Sequence, residues 1–445
     1  MTAPSADSDI ATKNQLDDAQ PQVQPVALVP KIPLELVPHV VVHLSDLLPV
    51  LKTCSLASQS FLKATRPHLH SRLTINLEAR KASKTINRLE CYFDNPPLIG
   101  CVQSLVLIYP FDADQDSEAK HEDDATHFER LFCALGPLPN IKHLTLDRID
   151  FADTCRDKLS SYITHNLPGV HTLVVGSQWN TATGFASLDQ LSSLIRSLPL
   201  LRSIDLGRVS VRGIKEEDVP EEPTKGTTYY PLMRLDSLRL SGPRSCGLGF
   251  RYILKLLGID HESGSEGVFA LQRLSLHQQN NREDLKGAFY RGFCELFGPS
   301  LRHLELDIDN QYDMSHDDGR LDIDQSMALQ QRILSKCNHL ETLVVKTTRT
   351  SFDPDWLLHL PSSHFKKLTL CSKKLDVSRI DQDLRFSKLE EVLEQKECKV
   401  EEILISLSVR HRMTSLLQEI KDEISEAMPK TSERGVIRFE YYDLK

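Results

Sequence analysis

Ten times between residues 102 and 405 the chain repeats one short pattern, Φ-x-x-Φ-x-Φ, in which Φ is apolar. The copies begin at Val102, Ile141, Val170, Leu201, Leu235, Leu271, Leu301, Leu340, Phe365 and Val400, 25 to 39 residues apart, with a mean of about 33. One such hexapeptide is commonplace; its recurrence is what constrains the fold. The alternating end of each copy predicts a short strand whose last two apolar residues face a core. A unit of this size cannot bury its apolar face alone, so successive units must stack. Leu73 and Ile75 read as a degenerate opening copy.

Between the copies the apolar spacing turns helical. Phe128, Leu131, Phe132 and Leu135 lie at i, i+3, i+4 and i+7, as do Leu188, Leu191, Ser192 and Ile195 with one polar lapse. Ile253, Leu254 and Leu257 do so briefly, and Phe289, Phe293 and Phe297, then Met327 and Leu334, mark weaker stretches. Strand followed by helix at a steady period is the plan of the leucine-rich repeat, a curved solenoid with its strands stacked in parallel. The usual Asn or Cys three residues beyond the strand is missing from every copy, so no asparagine ladder can serve the turns. An irregular α/β solenoid over 74–410 is expected, with the acidic stretch 112–124 and the segment 215–225 as insertions.

The two ends follow other rules. Residues 1–28 are rich in Ala, Asp, Gln, Ser and Pro without apolar period, which predicts disorder. Residues 29–73 carry dense helical spacing: Pro33 at a helix start with Leu36, Val40 and Leu44 on one face, then Leu47 to Leu56, then Phe61, Leu62, Leu69 and Leu73. Pro38 falls within the first of these three short helices and predicts a bend there. At the other end, 411–445 reads as a capping helix with Leu417, Ile420 and Ile424 on one face, and a last strand over Val436–Phe439.

The N-terminal module resembles a known motif. Ile32-Pro33-Leu34-Glu35-Leu36, the spaced Leu44, Leu47 and Leu51, and the ending Cys54-Ser55-Leu56 followed by Phe61 resemble the F-box, with Phe61 where many boxes carry Trp. Ala64-Thr65-Arg66-Pro67-His68-Leu69 looks like the exit common in fungal F-box proteins with degenerate leucine-rich repeats. The resemblance covers about residues 31–73 and, more loosely, the repeats after it. It implies a small three-helix F-box followed by an irregular leucine-rich-repeat solenoid. It also implies that Ile32, Pro33, Leu36, Val40, Leu44, Leu47, Leu51 and Phe61 bind the Skp adaptor of a cullin-based ubiquitin ligase core. A unit this small cannot bury all its leucines internally, and an apolar helix face left over is one that docks, on a partner or as a cap on the first repeat.

Motifs for chemistry are missing. There is no phosphate-binding Gly-x-x-x-x-Gly-Lys-(Ser/Thr) loop and no His-Glu-x-x-His. His39 and His43 are four apart without a third ligand at suitable spacing. Counting a calcium loop from Asp307 puts Tyr312 where Gly is needed and Asp318 where Glu is needed. Ten cysteines, no two closer than ten residues, give neither zinc clamps nor a disulfide framework and read as reduced core residues. No cofactor and no enzymatic activity are expected. The net charge of −9, the lack of an apolar run near the ~18 residues of a membrane span, and an N-terminus unlike a secretory signal point to a soluble protein of cytoplasm or nucleus.

The working surface is expected on the strands. The third and fifth positions of the hexapeptide, and the residue after it, point away from the core. They are His143, Thr145, Asp147, Asp205, Arg239, Arg273, His277, His303, Glu305, Asp307, Lys346 and Lys367. The mixed signs, without a basic stripe or interleaved aromatics, speak for a protein target and against nucleic acid. Arg239 and Arg273, on neighbouring repeats, are candidates to hold a phosphate. The expectation is a substrate-recognition subunit of a ubiquitin ligase; the alternative is a leucine-rich-repeat scaffold without a ligase role.

Overall fold

The computed structural model describes residues 32–77, 82–109, 131, 134–149, 151, 157–176, 183–207, 209–211, 235–242, 253, 257, 271–278, 294–307, 334–347, 354–361, 363–372, 385–396, 400–409 and 416–443. The chain divides into two units, Met1–Thr65 and Arg66–Lys445. The expected insertions at 112–124 and 215–225 and the N-terminal 1–28 lie outside the described residues.

In the first unit a 3-10 turn, Leu34–Leu36, leads into α1 (Val37–His43); α2 (Leu48–Ala57) follows, and α3 (Gln59–Leu69) begins in this unit and continues past its end at Thr65. Pro38 and Pro49 stand in the first turns of α1 and α2. An N–H there has no acceptor within the helix, so proline removes nothing, and the bend expected at Pro38 does not arise. Ser58 caps α3, its Oγ accepting from the Phe61 N–H at 3.3 Å. Among the described residues of this unit Val37, Val41, Leu51 and Thr65 are buried. The inward stripe of α1 is therefore Val37 and Val41, one position on from the expected Leu36, Val40 and Leu44.

The second unit is built on β1 (Arg72–Asn76), β2 (Ser104–Ile108), β3 (His143–Asp147), β4 (Thr172–Val175), β5 (Thr183–Phe185), β6 (Ser203–Leu206) and β7 (Val209–Val211). It continues through β8 (Ser237–Gly242), β9 (Arg273–Gln278), β10 (His303–Asp307), β11 (Thr342–Thr347), β12 (Lys367–Ser372), β13 (Glu402–Val409) and β14 (Ile437–Asp443). Twelve of these form one open parallel sheet in chain order, leaving out β5 and β7, which pair with each other. All ten hexapeptides are strands of this sheet. Leu73 and Ile75 lie on β1, so the repeats start before residue 74, and β14 pairs with β13 as the last strand.

The register is uniform. Leu304 stands opposite Leu274 and Leu343, and Leu306 opposite Leu276 and Val345, with equivalent apolar pairs along the sheet. These residues form a continuous buried core running from Leu73 to Met428. The first apolar residue of each hexapeptide is buried too, and several sit on a tight turn before the strand: Leu201 N–H donates to Leu198 O at 3.1 Å and Leu301 N–H to Gly298 O at 3.2 Å. At the entry to each strand the backbone supplies a ladder of its own. Gln103 O accepts from Lys142 and His143 N–H at 2.8 and 3.0 Å, and the same forked bond recurs in each repeat down to Lys366 O, which accepts from Glu401 and Glu402 at 2.8 and 3.2 Å. Both lone pairs of each carbonyl are thus used. Gly207 follows β6 where a Cβ would lie 2.4 Å from the Gly176 carbonyl, so this turn admits no side chain.

Helices cover the leucine side of the sheet. Leu188–Arg196 buries Leu191, Ser192 and Ile195, as its spacing predicts, and Leu194 as well, while Leu188 is only half-buried. Its N-terminus is closed by Ser187 Oγ, which accepts from Gln190 N–H at 3.2 Å. Leu131, Leu135, Ile253, Leu257, Phe297 and Leu334 are buried as expected, while their helical partners 128, 132, 254, 289, 293 and 327 lie outside the described residues. Leu416–Ala427 buries Ile420 and Ile424. Among the described residues no helix is long and apolar enough to cross a membrane.

Candidate protein-recognition face

Two surfaces stand out, one on each unit. Of eleven exposed large apolar side chains among the described residues, eight fall between Ile32 and Leu56: Ile32, Leu34, Leu36, Val42, Leu47, Leu48, Val50 and Leu56. Leu36 and Leu47 are each 50% exposed, and Ile32 and Pro33 are also exposed. Val40, Leu44 and Phe61 are half-buried. Leu51 is fully buried. It cannot be presented to a partner and belongs instead to the packing of the module. Three-helix units have little interior, and a surplus of leucines at this density has to remain outside.

On the second unit, strand alternation puts positions 3, 5 and 7 of every repeat on the side of the sheet opposite the leucines. His143, Arg273, His303 and Lys367 occupy position 3; Thr145, Asp205, Arg239 and Glu305 position 5; Asp147, His277, Asp307 and Lys346 position 7. The face is shared, as the pattern predicts, but its members are not equally open. Asp147 and Asp307 are buried, and Asp147 is paired with Arg148 at 3.5 Å, so neither offers a carboxylate to a partner.

A charged cluster spans β9 to β11. Lys346 Nζ lies 2.5 Å from Glu305 Oε1, and His277 Nε2 lies 3.1 Å from the same oxygen. Ser275 Oγ donates to Glu305 Oε2 at 2.6 Å, and His277 Nε2 lies 2.8 Å from Ser275 Oγ. On its other side His277 Nδ1 lies 3.6 Å from Asp307. Burial works against a charged imidazole here, but the hydrogen bonds to Asp307 and Glu305 outweigh it and raise the pKa of His277 above its ordinary value. Burial likewise opposes ionisation of Glu305, yet bonds from His277, Lys346 and Ser275 hold it far below the usual carboxylate range.

Serine, histidine and aspartate in this sequence of contacts resemble a nucleophilic triad, but the serine is directed elsewhere. Ser275 Oγ donates to Glu305, so its proton is not presented to the imidazole as a nucleophile's would be. The arrangement braces three strands and presents fixed charge.

Arg239 lies beside Asp205 at 3.8 Å, and Ser241 Oγ donates to Asp205 at 3.3 Å. Burial still dominates and raises the Asp205 pKa. Arg239 is thus already matched to a carboxylate. It sits opposite Ser275, with Arg273 two residues along the neighbouring strand on the same face.

Several features escape a sequence reading. Leu138, Leu167, Leu198 and Cys337, three residues before a hexapeptide, are all buried; the recurring Leu-Pro at 138, 167 and 198 was the available signal. The helices Ala82–Phe93 and Phe386–Gln395 bury Leu89 and Phe386, Leu389 and Val392. The six described cysteines are free thiols, but only Cys294 and Cys337 are buried, and Cys91 is exposed rather than in the core. No protein-family model matches the chain, and no curated protein matches it.

Proposed function

We propose that this chain is the substrate-recognition subunit of a Skp/cullin/F-box ubiquitin ligase, with residues 29–73 as the F-box and the repeats as a leucine-rich-repeat solenoid that holds a target protein. The observation that carries this reading is the apolar patch of Ile32, Leu34, Leu36, Leu47, Leu48 and Leu56, left outside a three-helix module that precedes a long repeat array. An apolar area of this density on so small a unit is suited to docking. The ion network of the open sheet face supplies fixed, mixed charge for a protein target. The chain would make and break no bond. It would hold the target near the ubiquitin-charged enzyme and make lysine attack effectively intramolecular, in cytoplasm or nucleus.

A pull-down of the full chain with purified Skp adaptor tests this. Wild type should be retained, and Leu36→Asp/Leu47→Asp should not, while Leu200→Asp, an exposed leucine of the second unit, should bind as wild type. Circular dichroism checks that all three are folded. Absence of wild-type binding would sink the ligase reading and leave a repeat scaffold whose patch is covered in some other way.

A further inference from the structure

The third position of the hexapeptide brings Arg273, His303, Thr342 and Lys367 into register on four successive strands. Neighbouring members are one strand apart, about 4.8 Å, so the row is continuous for an extended segment lying across it. Most cations of the open face are already matched. Lys367 Nζ lies 2.8 Å from Glu402, Lys346 2.5 Å from Glu305, and Arg239 3.8 Å from Asp205. Arg273 is different: it is exposed and forms no ion pair with any described residue.

We propose that Arg273, His303 and Thr342 form a carboxylate-binding subsite that takes an Asp or Glu side chain of a bound protein segment. The subsite rests on reading the open sheet face as the target-binding face, and not on adaptor binding. The guanidinium offers two parallel donors with the geometry of a carboxylate, the imidazole a third, and the Thr342 hydroxyl a fourth. A phosphoryl group, with nearly two charges, fits less well, because only one cation of the row lacks a carboxylate already.

The imidazole makes the site readable. Burial lowers the pKa of His303, and the cations Arg273 and Lys367 lower it further against the opposing pull of Glu305 on the same strand. A carboxylate bound beside Arg273 offsets those cations and draws a proton onto His303. Binding of an acidic segment is therefore coupled to proton uptake at one identified residue.

The test uses the full chain labelled with 13C at the histidine Cε1, with the His303 signal assigned from His303→Gln. It is titrated with a hexaglutamate peptide, a hexapeptide containing three phosphoserines, and a six-nucleotide single-stranded DNA. With hexaglutamate the His303 signal should move and its pKa rise. Arg273→Ala should weaken binding about tenfold or more, Arg273→Lys less, and Arg302→Ala, at the exposed edge, not at all. An unmoved His303 signal, undiminished binding by Arg273→Ala, or tighter Arg273-dependent binding of the phosphopeptide or the DNA would each overturn the assignment. The measurement contains no adaptor, so its failure is distinct from a failed adaptor pull-down.

Discussion

Glu305 of β10 reaches His277 of β9 at 3.1 Å although the residue directly opposite Glu305 is Ser275. The contact is diagonal across two residues of strand, and Lys346 of β11 reaches the same carboxylate diagonally from the other side at 2.5 Å. One half-buried carboxylate thus ties together three strands whose backbones are already paired. Side-chain bonds of this kind add to the ladder and fix where charge is presented.

The cluster has a defined pH window. The pKa of His277 is raised in the fold above its ordinary 6.5, so its stabilisation is complete below that value and is lost as pH rises through the folded pKa. Glu305 is held below its ordinary 4.5, so its stabilisation is complete above that value and is lost as pH falls through the lower folded pKa. Both are fully present between 4.5 and 6.5. Thermal unfolding of wild type and His277→Gln should differ most in that window, with the difference narrowing as pH rises further. A gap independent of pH would show that His277 is not charged in the fold.

Removing the shared carboxylate should cost more than removing one of its partners. Glu305→Ala leaves Lys346 and His277 without their nearest anion in a half-buried place, and a loss of about 1–3 kcal/mol in urea unfolding is expected. Lys346→Ala, which leaves Glu305 bonded to His277 and Ser275, should lose less. The reverse order would mean that the cluster does not act through Glu305.

The two sides of a strand should respond differently to truncation. Leu343→Ala empties a fully buried site in the core and is expected to cost about 2–5 kcal/mol. Val344→Ala, one residue on and half-buried on the open face, should cost less than about 1.5 kcal/mol. Similar losses at both positions, measured by urea unfolding, would contradict the assigned faces.

Within the helical module, Leu51→Ala should loosen the fold, because that side chain is buried, while Leu36→Ala should leave it intact. Pro38→Ala is expected to change stability by no more than about 0.5–1 kcal/mol, since the first helical turn has no bond for proline to break. Hydrogen exchange of the α1 and α2 amides in each variant distinguishes these outcomes.

The repeat was legible because its signal is local and frequent. Leu301, Leu304 and Leu306 announce a turn and a strand whatever surrounds them, and ten such copies yielded ten strands in one sheet. The helix Leu188–Arg196 was legible for the same reason, its apolar residues returning at helical spacing. Ala82–Phe93 was not, because Ile86, Leu89 and Tyr92 are embedded in a mainly polar text that could equally have been a loop.

Sequence alone determined the positions of the ten repeat strands, the side of the sheet their residues occupy, and the apolar surplus of the first module, since periodicity and composition suffice for these; the small pair β5 and β7 it did not announce. Only the tertiary structure decided that Leu51 turns inward, that Asp147 and Asp307 are buried, and that Arg239 is matched to Asp205 while Arg273 is exposed and pairs with no carboxylate among the described residues. The outcomes on the sheet depend on strand register and on the reach of side chains from neighbouring repeats, about 30 to 40 residues away in the chain, and that of Leu51 on how the short helices pack; no local pattern encodes either.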